Sequence, residues 1–166
     1  MLSLFFNVES SGFSYGNQTK FLTNNINTTS FNGLGINVQI YQDGTYKDGR
    51  TFDTNSDTIG AASAELASYL RAITPGYYIL MGVTGDAFSN LSSDAKAAIT
   101  DLGSTKIGSL GFCDSWSFIA RKGSGAIAES YVPRYGGGAR VTSVTTKAIT
   151  YYKGVVGEEQ SDYTVK

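Results

Sequence analysis

The order of strand-like and helix-like patterning predicts an α+β fold. Mixed β-sheets in a sandwich-like arrangement would carry two amphipathic helices packed on them. Three observations lead there. Apolar residues alternate at period two in LSLFFNV (2–8), INVQIYQ (36–42) and SWSFIA (115–120). Two other stretches, 57–73 and 93–102, repeat apolar residues every three or four positions. Between those helices lies GYYILMGV (76–83), a nearly continuous apolar run that suits a central strand covered on both faces.

Each element follows from local chemistry. Leu4, Phe6 and Val8 share one face of the first strand. Residues 9–33 are polar and glycine-punctuated, with QTKFLT (18–23) as a short strand. Phe13, Tyr15, Phe21 and Phe31 argue for ordered packing there rather than disorder. In 36–42, Ile36, Val38 and Ile40 point inward and Asn37, Gln39 and Tyr41 outward. Asp43-Gly44 marks a hairpin turn into the return strand 45–54, where Asp48-Gly49 supplies a second turn or bulge. Ile59, Ala62, Leu66, Leu70 and Ile73 form the stripe of the first helix, which Asp57 or Ser56 caps and Pro75-Gly76 stops. Ser92 caps the second helix, and Gly103 closes it. Strand 115–123 then pairs with 126–132. The triplet Gly136-Gly137-Gly138 reads as a flexible joint. It lies between a globular unit, 1–138, and an extension of the same domain, 139–166, that is dense in Val, Thr and Tyr and ends in a polar tail.

Composition narrows the chemistry. The 166 residues include 13 Lys and Arg against 14 Asp and Glu, and the net charge of −1 offers no basic footprint for nucleic acid. No apolar run approaches the ~20 residues that span a bilayer, and the first residues lack a basic leader pattern. Charged residues make up 16% of the chain, against roughly 25% in ordinary domains. Ser, Thr, Asn and Gly take their place, as suits β-rich extracellular or virion proteins. Histidine is absent and cysteine occurs once, so Cys–His and Ser–His pairs, an intrachain disulfide and an ordinary zinc site are all excluded. No cofactor or metal is expected, and glycines near VTGDAFSN and GSTKIGSLG lack a phosphate-loop lysine.

The segment GFCDSW (111–116) concentrates the remaining chemistry. Cys113 has no histidine base, and neighbouring Asp114 disfavours its thiolate, so it reads as a packed residue rather than a nucleophile. Asp114 and Trp116 could make a sugar platform, the ring taking C–H faces and the acid accepting hydroxyls. Alternation with Phe118 turns Trp116 inward instead. Asp86, at the end of the central strand, is a further candidate. A glycosidase would need two such carboxylates about 5–10 Å apart.

The ordered set GLGINVQIY, GRTFDT, PGYYILMGVTGDAFSNLSSDAKAAITDLGS and LGFCDSWSFIARKG resembles the interleukin-like EMT inducer (ILEI/PANDER) domain over about residues 33–123. The resemblance implies an ILEI-like fold without catalysis. Its members include secreted cytokine-like proteins, a sugar-binding stem domain of a glycosyltransferase, and modules of bacteriophage tail fibres. In the stem domain an arginine and an acid hold the glycan; Cys113 and Gly85 stand at those positions here. With the Asn/Ser/Thr/Gly-rich start, the expectation is a non-catalytic bacteriophage virion module for assembly or host adhesion. A secreted cytokine-like or lectin-like domain is the alternative, and a carboxylate glycosidase the third reading. Expected partners are other virion or tail proteins, a host surface glycan and further copies of the chain. The expected ligand-binding residues are Gly85, Asp86, Cys113, Asp114 and Trp116.

Overall fold

The computed structural model describes residues 2–29, 32–152 and 155–165, with side chains for 4–29 and 32–142. Phe31 lies outside the described residues. The strands are β1 (Leu2–Gly12), β2 (Gln18–Thr23), β3 (Ile26–Asn27), β4 (Gly35–Gln42) and β5 (Thr45–Phe52), followed by β6 (Tyr78–Gly85), β7 (Ser115–Arg121), β8 (Gly125–Val132), β9 (Ala139–Tyr152) and β10 (Val155–Val165). The helices α1 (Ala61–Ala72) and α2 (Ser93–Asp101) flank β6 in sequence. The class is α+β, built on one mixed sheet rather than separate sheets. Its order is β10-β9-β1-β6-β4-β5, with β2 and β3 branching from β1, and β7 and β8 from β6.

The branch point is β1. It keeps β2 antiparallel along one edge, from Phe6↔Thr23 to Ser11↔Gln18. On its other edge it runs antiparallel to β9 from Leu2↔Lys147 to Ser10↔Ala139, then pairs in parallel with β6 at Ser11↔Thr84 and Gly12↔Gly85. The ladder therefore turns back, and Val8, Phe6 and Phe21 pack over Tyr78, Leu80 and Ile119. A Cβ on Gly82 would meet Thr19 Cγ2 at 2.6 Å, so only glycine permits that approach.

The opposite face of β4, β6 and β7 carries the helices. Ile36, Val38, Ile79, Met81, Trp116 and Phe118 meet Leu66, Leu70 and Ile99 there. Each such side chain, once buried, contributes about 1.5–3 kcal/mol of transfer free energy. All eight residues of β6 are buried, as its apolar run predicts.

Several boundaries differ from expectation. The stripe of α1 begins later, because Gly60 at φ 81° sets the helix start and Ile59 is 88% exposed in the preceding turn. Asp57 still serves that end, accepting from the Ala62 N–H. The β5 bulge falls at Lys47, between Ile40↔Asp48 and Tyr41↔Tyr46. Asn37, Gln39 and Tyr41 are not outward but buried against the β1–β2 layer. They survive burial because each is hydrogen-bonded. Asn37 Nδ2 donates to Gly33 O at 2.8 Å, Gln39 Nε2 to Thr28 O at 2.7 Å, and Tyr41 OH to Gln39 Oε1 at 2.8 Å. The glycine triplet is anchored rather than loose: Gly137 O accepts from Ser115 Oγ at 3.0 Å, and Gly136 N–H donates to Pro133 O at 2.8 Å. The polar tail forms β10. No helix among the described residues is long and apolar enough to cross a membrane.

Candidate functional site

Four strand ends converge where β1 meets β6. The chain leaves β1 into a 3₁₀ turn, Phe13–Tyr15, and leaves β6 at Gly85-Asp86. It enters β7 through Gly111–Asp114 and leaves β8 through Pro133–Tyr135. A Cβ on Gly12 would overlap the Cys113 carbonyl, so the glycine lets β1 close against the β7 entrance. Gly12 N–H donates to Ser115 Oγ at 2.9 Å, fixing that closure. Tyr15 OH donates to the Tyr135 carbonyl, tying the first turn to the last.

These ends enclose a cleft of about 430 Å³, within the size range of small-ligand sites. Its apolar surfaces are Phe13, Leu34 and Phe112, which are 68%, 38% and 52% exposed. Its polar surfaces are Asn17, Asn55, Asp86 and Arg134, with Gly85 and Cys113 between them. Phe13 and Phe112 bring two exposed aromatic rings to one concave site.

Gly85 adopts φ 73°, and a Cβ there would meet Leu34 Cδ2 at 2.8 Å. The left-handed turn thus favours glycine at this position, where the resemblance implies an acid. Asp86 is 5% exposed. Its Oδ1 accepts from the N–H groups of Phe88 (3.0 Å) and Cys113 (3.3 Å), and its Oδ2 from Ser89 Oγ. Cys113 is buried at φ 58°, a conformation uncommon for a side-chain-bearing residue. Burial pushes its thiol pKa up, the Asp86 charge adds to this, and Arg134 opposes it. A protonated thiol is a poor nucleophile.

Asp114 stands behind the cleft wall. Its Oδ2 accepts from Gly111 N–H and Tyr131 OH, both at 2.7 Å, and its Oδ1 from Arg134 N–H at 2.6 Å. The bond to Asp114 raises the Tyr131 hydroxyl pKa. Trp116 is fully buried, stacked on Phe118 at 5.4 Å with its Nε1 donating to Glu129 at 2.8 Å. Its ring therefore presents no face to a sugar, and the Asp114–Trp116 platform is corrected: strand alternation turns the indole to the helix side. Gly85, Asp86 and Cys113 do share the cleft. The residues that the sequence reading missed are Phe13, Asn17, Leu34, Asn55, Phe112 and above all Arg134. The only sequence signal for Arg134 was VPRYGGG, a cation set in turn chemistry between strands.

Among the described residues, no three His, Cys, Asp or Glu side chains gather to hold a metal ion. Nor does any acid point a bare carboxyl into the cleft. The arrangement is suited to holding a ligand between aromatic faces, amides and one guanidinium.

Residues 32–124 match the family model described as Interleukin-like EMT inducer. The chain is 40% identical over 92 residues to human Protein FAM3C, 32% identical to the zebrafish (Danio rerio) Protein FAM3C over the same length, and 35% identical over 91 residues to human Protein FAM3B. These matches take in 55%, 55% and 54% of this chain and 39%, 39% and 37% of those proteins. The chain thus spans about two fifths of the length of the curated relatives it matches. Three lining residues of the cleft, Phe13, Asn17 and Arg134, fall outside the matched segment.

Proposed function

This chain belongs to the interleukin-like EMT inducer family, and on that premise we propose that it is a non-catalytic recognition domain of the secreted, cytokine-like or lectin-like kind, with a carbohydrate as its ligand. One observation carries the reading. The cleft joins exposed aromatic faces, Phe13 and Phe112, to the amides of Asn17 and Asn55. Sugars offer the matching pair of surfaces, apolar C–H faces and hydroxyl edges. The animal relatives favour the secreted setting over the virion one.

The occupied carboxylates support a binding role over hydrolysis. A glycosidase needs one carboxyl as acid and a second as base or nucleophile, both facing the bond to be broken. Asp86 and Asp114 are each held by three internal donors. The virion reading keeps one supporting observation, the single free Cys113, which leaves this chain without any disulfide to suit it to secretion. Mass spectrometry of purified virus particles against culture medium from the source organism separates the two settings.

The test is a glycan array with the full chain beside Phe112→Ala. Binding to a defined glycan set that the variant loses at least tenfold is the expected result. Turnover of a glycoside, lost in Asp86→Asn, would overturn the non-catalytic reading. Binding that Phe112→Ala leaves intact would move the site elsewhere.

A further inference from the structure

We infer that the cleft selects acidic sugars, a ring bearing a carboxylate that Arg134 receives; this rests on the carbohydrate reading above. The Arg134 guanidinium lies 5.0 Å from the Phe112 ring centroid and 4.7 Å from that of Tyr135. Contacts with two rings restrain the planar fork without using its N–H donors, because ring faces engage the cation through its charge. The backbone beneath is held by Asp114. Among the described residues no carboxylate pairs with this guanidinium, whereas Arg71 and Arg140 pair with Asp94 and Glu9.

The two acids beside the cleft are engaged elsewhere, which leaves the guanidinium to a ligand. Asp86 directs its oxygens to Phe88, Ser89 and Cys113, and Asp114 to Gly111, Tyr131 and the Arg134 backbone. Asn17 and Asn55, on the same cleft, make no side-chain hydrogen bond to another described residue. The ligand complementary to this set has one anionic fork, several hydroxyls and one apolar face. A uronic or sialic acid has all three. An acidic peptide would supply the charge but not a compact ring for about 430 Å³ between aromatic faces. A neutral sugar would forgo the charge-assisted pair, which is about twice as strong as a neutral hydrogen bond.

The experiment titrates the full chain by calorimetry with N-acetylneuraminic acid, D-glucuronic acid and N-acetylglucosamine. Arg134→Gln and Arg140→Gln are run in parallel, both checked for native melting. The expected result is at least about tenfold tighter binding of an acidic sugar than of the neutral one, a preference erased in Arg134→Gln and kept in Arg140→Gln. Equal binding of neutral and acidic sugars, unchanged in Arg134→Gln, overturns the inference and leaves the carbohydrate reading standing. If neither kind of sugar binds, while an Asp/Glu-rich peptide does, both fall.

Discussion

Two carboxylate centres, Asp114 at the entrance to β7 and Glu129 within β8, do different work. Glu129 accepts from Ser104 Oγ, Thr105 N–H (2.8 Å), Thr105 Oγ1 (3.1 Å), Lys106 N–H (3.3 Å) and the Trp116 indole. It sews the loop after α2 to the core and satisfies the buried tryptophan. Asp114 accepts from three donors: the Gly111 and Arg134 N–H groups, in the two loops that carry Phe112 and Arg134 into the cleft, and Tyr131 OH near the end of β8. The same chemistry closes a core at one centre and poses exposed side chains at the other. Stability and recognition should therefore come apart under mutation.

Glu129→Ala makes the largest break. It leaves the Trp116 Nε1–H and the Ser104 and Thr105 donors without their acceptor, which should cost about 2–4 kcal/mol in urea unfolding. Loss of less than about 1 kcal/mol would mean that water replaces the carboxylate. Acid titration sharpens the same point. Burial raises the Glu129 pKa, yet the bonds from Ser104, Trp116 and Thr105 outweigh it, and the net value lies below the usual glutamate range. A carboxyl lowered on folding stabilises fully above its unfolded pKa, about 4.3, and loses that contribution as pH falls through the folded value. Wild-type stability should thus drop below about pH 4, and more steeply than that of Glu129→Gln.

Asp114→Ala comes next, at about 1–2 kcal/mol, because water can reach Tyr131 and the loop amides. Its larger effect should be on binding, through the released Arg134 backbone. If affinity is unchanged while stability falls, Asp114 does not pose the loop. The smallest expected effect on stability is that of Arg134→Gln, within about 0.5 kcal/mol of wild type, as for other exposed substitutions. A larger loss would assign Arg134 to the fold and remove the contrast.

Much of the architecture was legible because apolar periodicity reports burial directly. Strands β4, β6 and β7 and helix α2 lie where alternation and caps place them: Ser92 Oγ accepts from Ala95 N–H, and Gly103 takes φ 102°. What periodicity misses is a polar face that is also buried. Asn37 and Gln39 read as solvent-facing, since nothing local announces that Thr19, Thr28 and Thr84 will arrive to bond them. The cleft was half legible for the same reason. Asp86 and Cys113 stand out at the end of the central strand and in GFCDSW, and Gly85 in the family pattern. Arg134 follows a hairpin that was legible, β8 on β7, but nothing local in VPRYGGG announces that the turn leaving β8 closes beside Gly85 and Cys113.

The placement of β1 also sets a timetable for synthesis. It leaves the ribosome long before its partner β9, which begins at Ala139. At about 5–20 residues per second, that edge waits on the order of ten seconds for its ladder. Until then a stretch carrying Phe6 and Val8 has one free row of amides, a template for the β1 of a neighbouring chain. Crowded expression should therefore penalise this protein before it folds rather than after, and slower initiation, which spaces nascent chains apart, should raise the soluble yield.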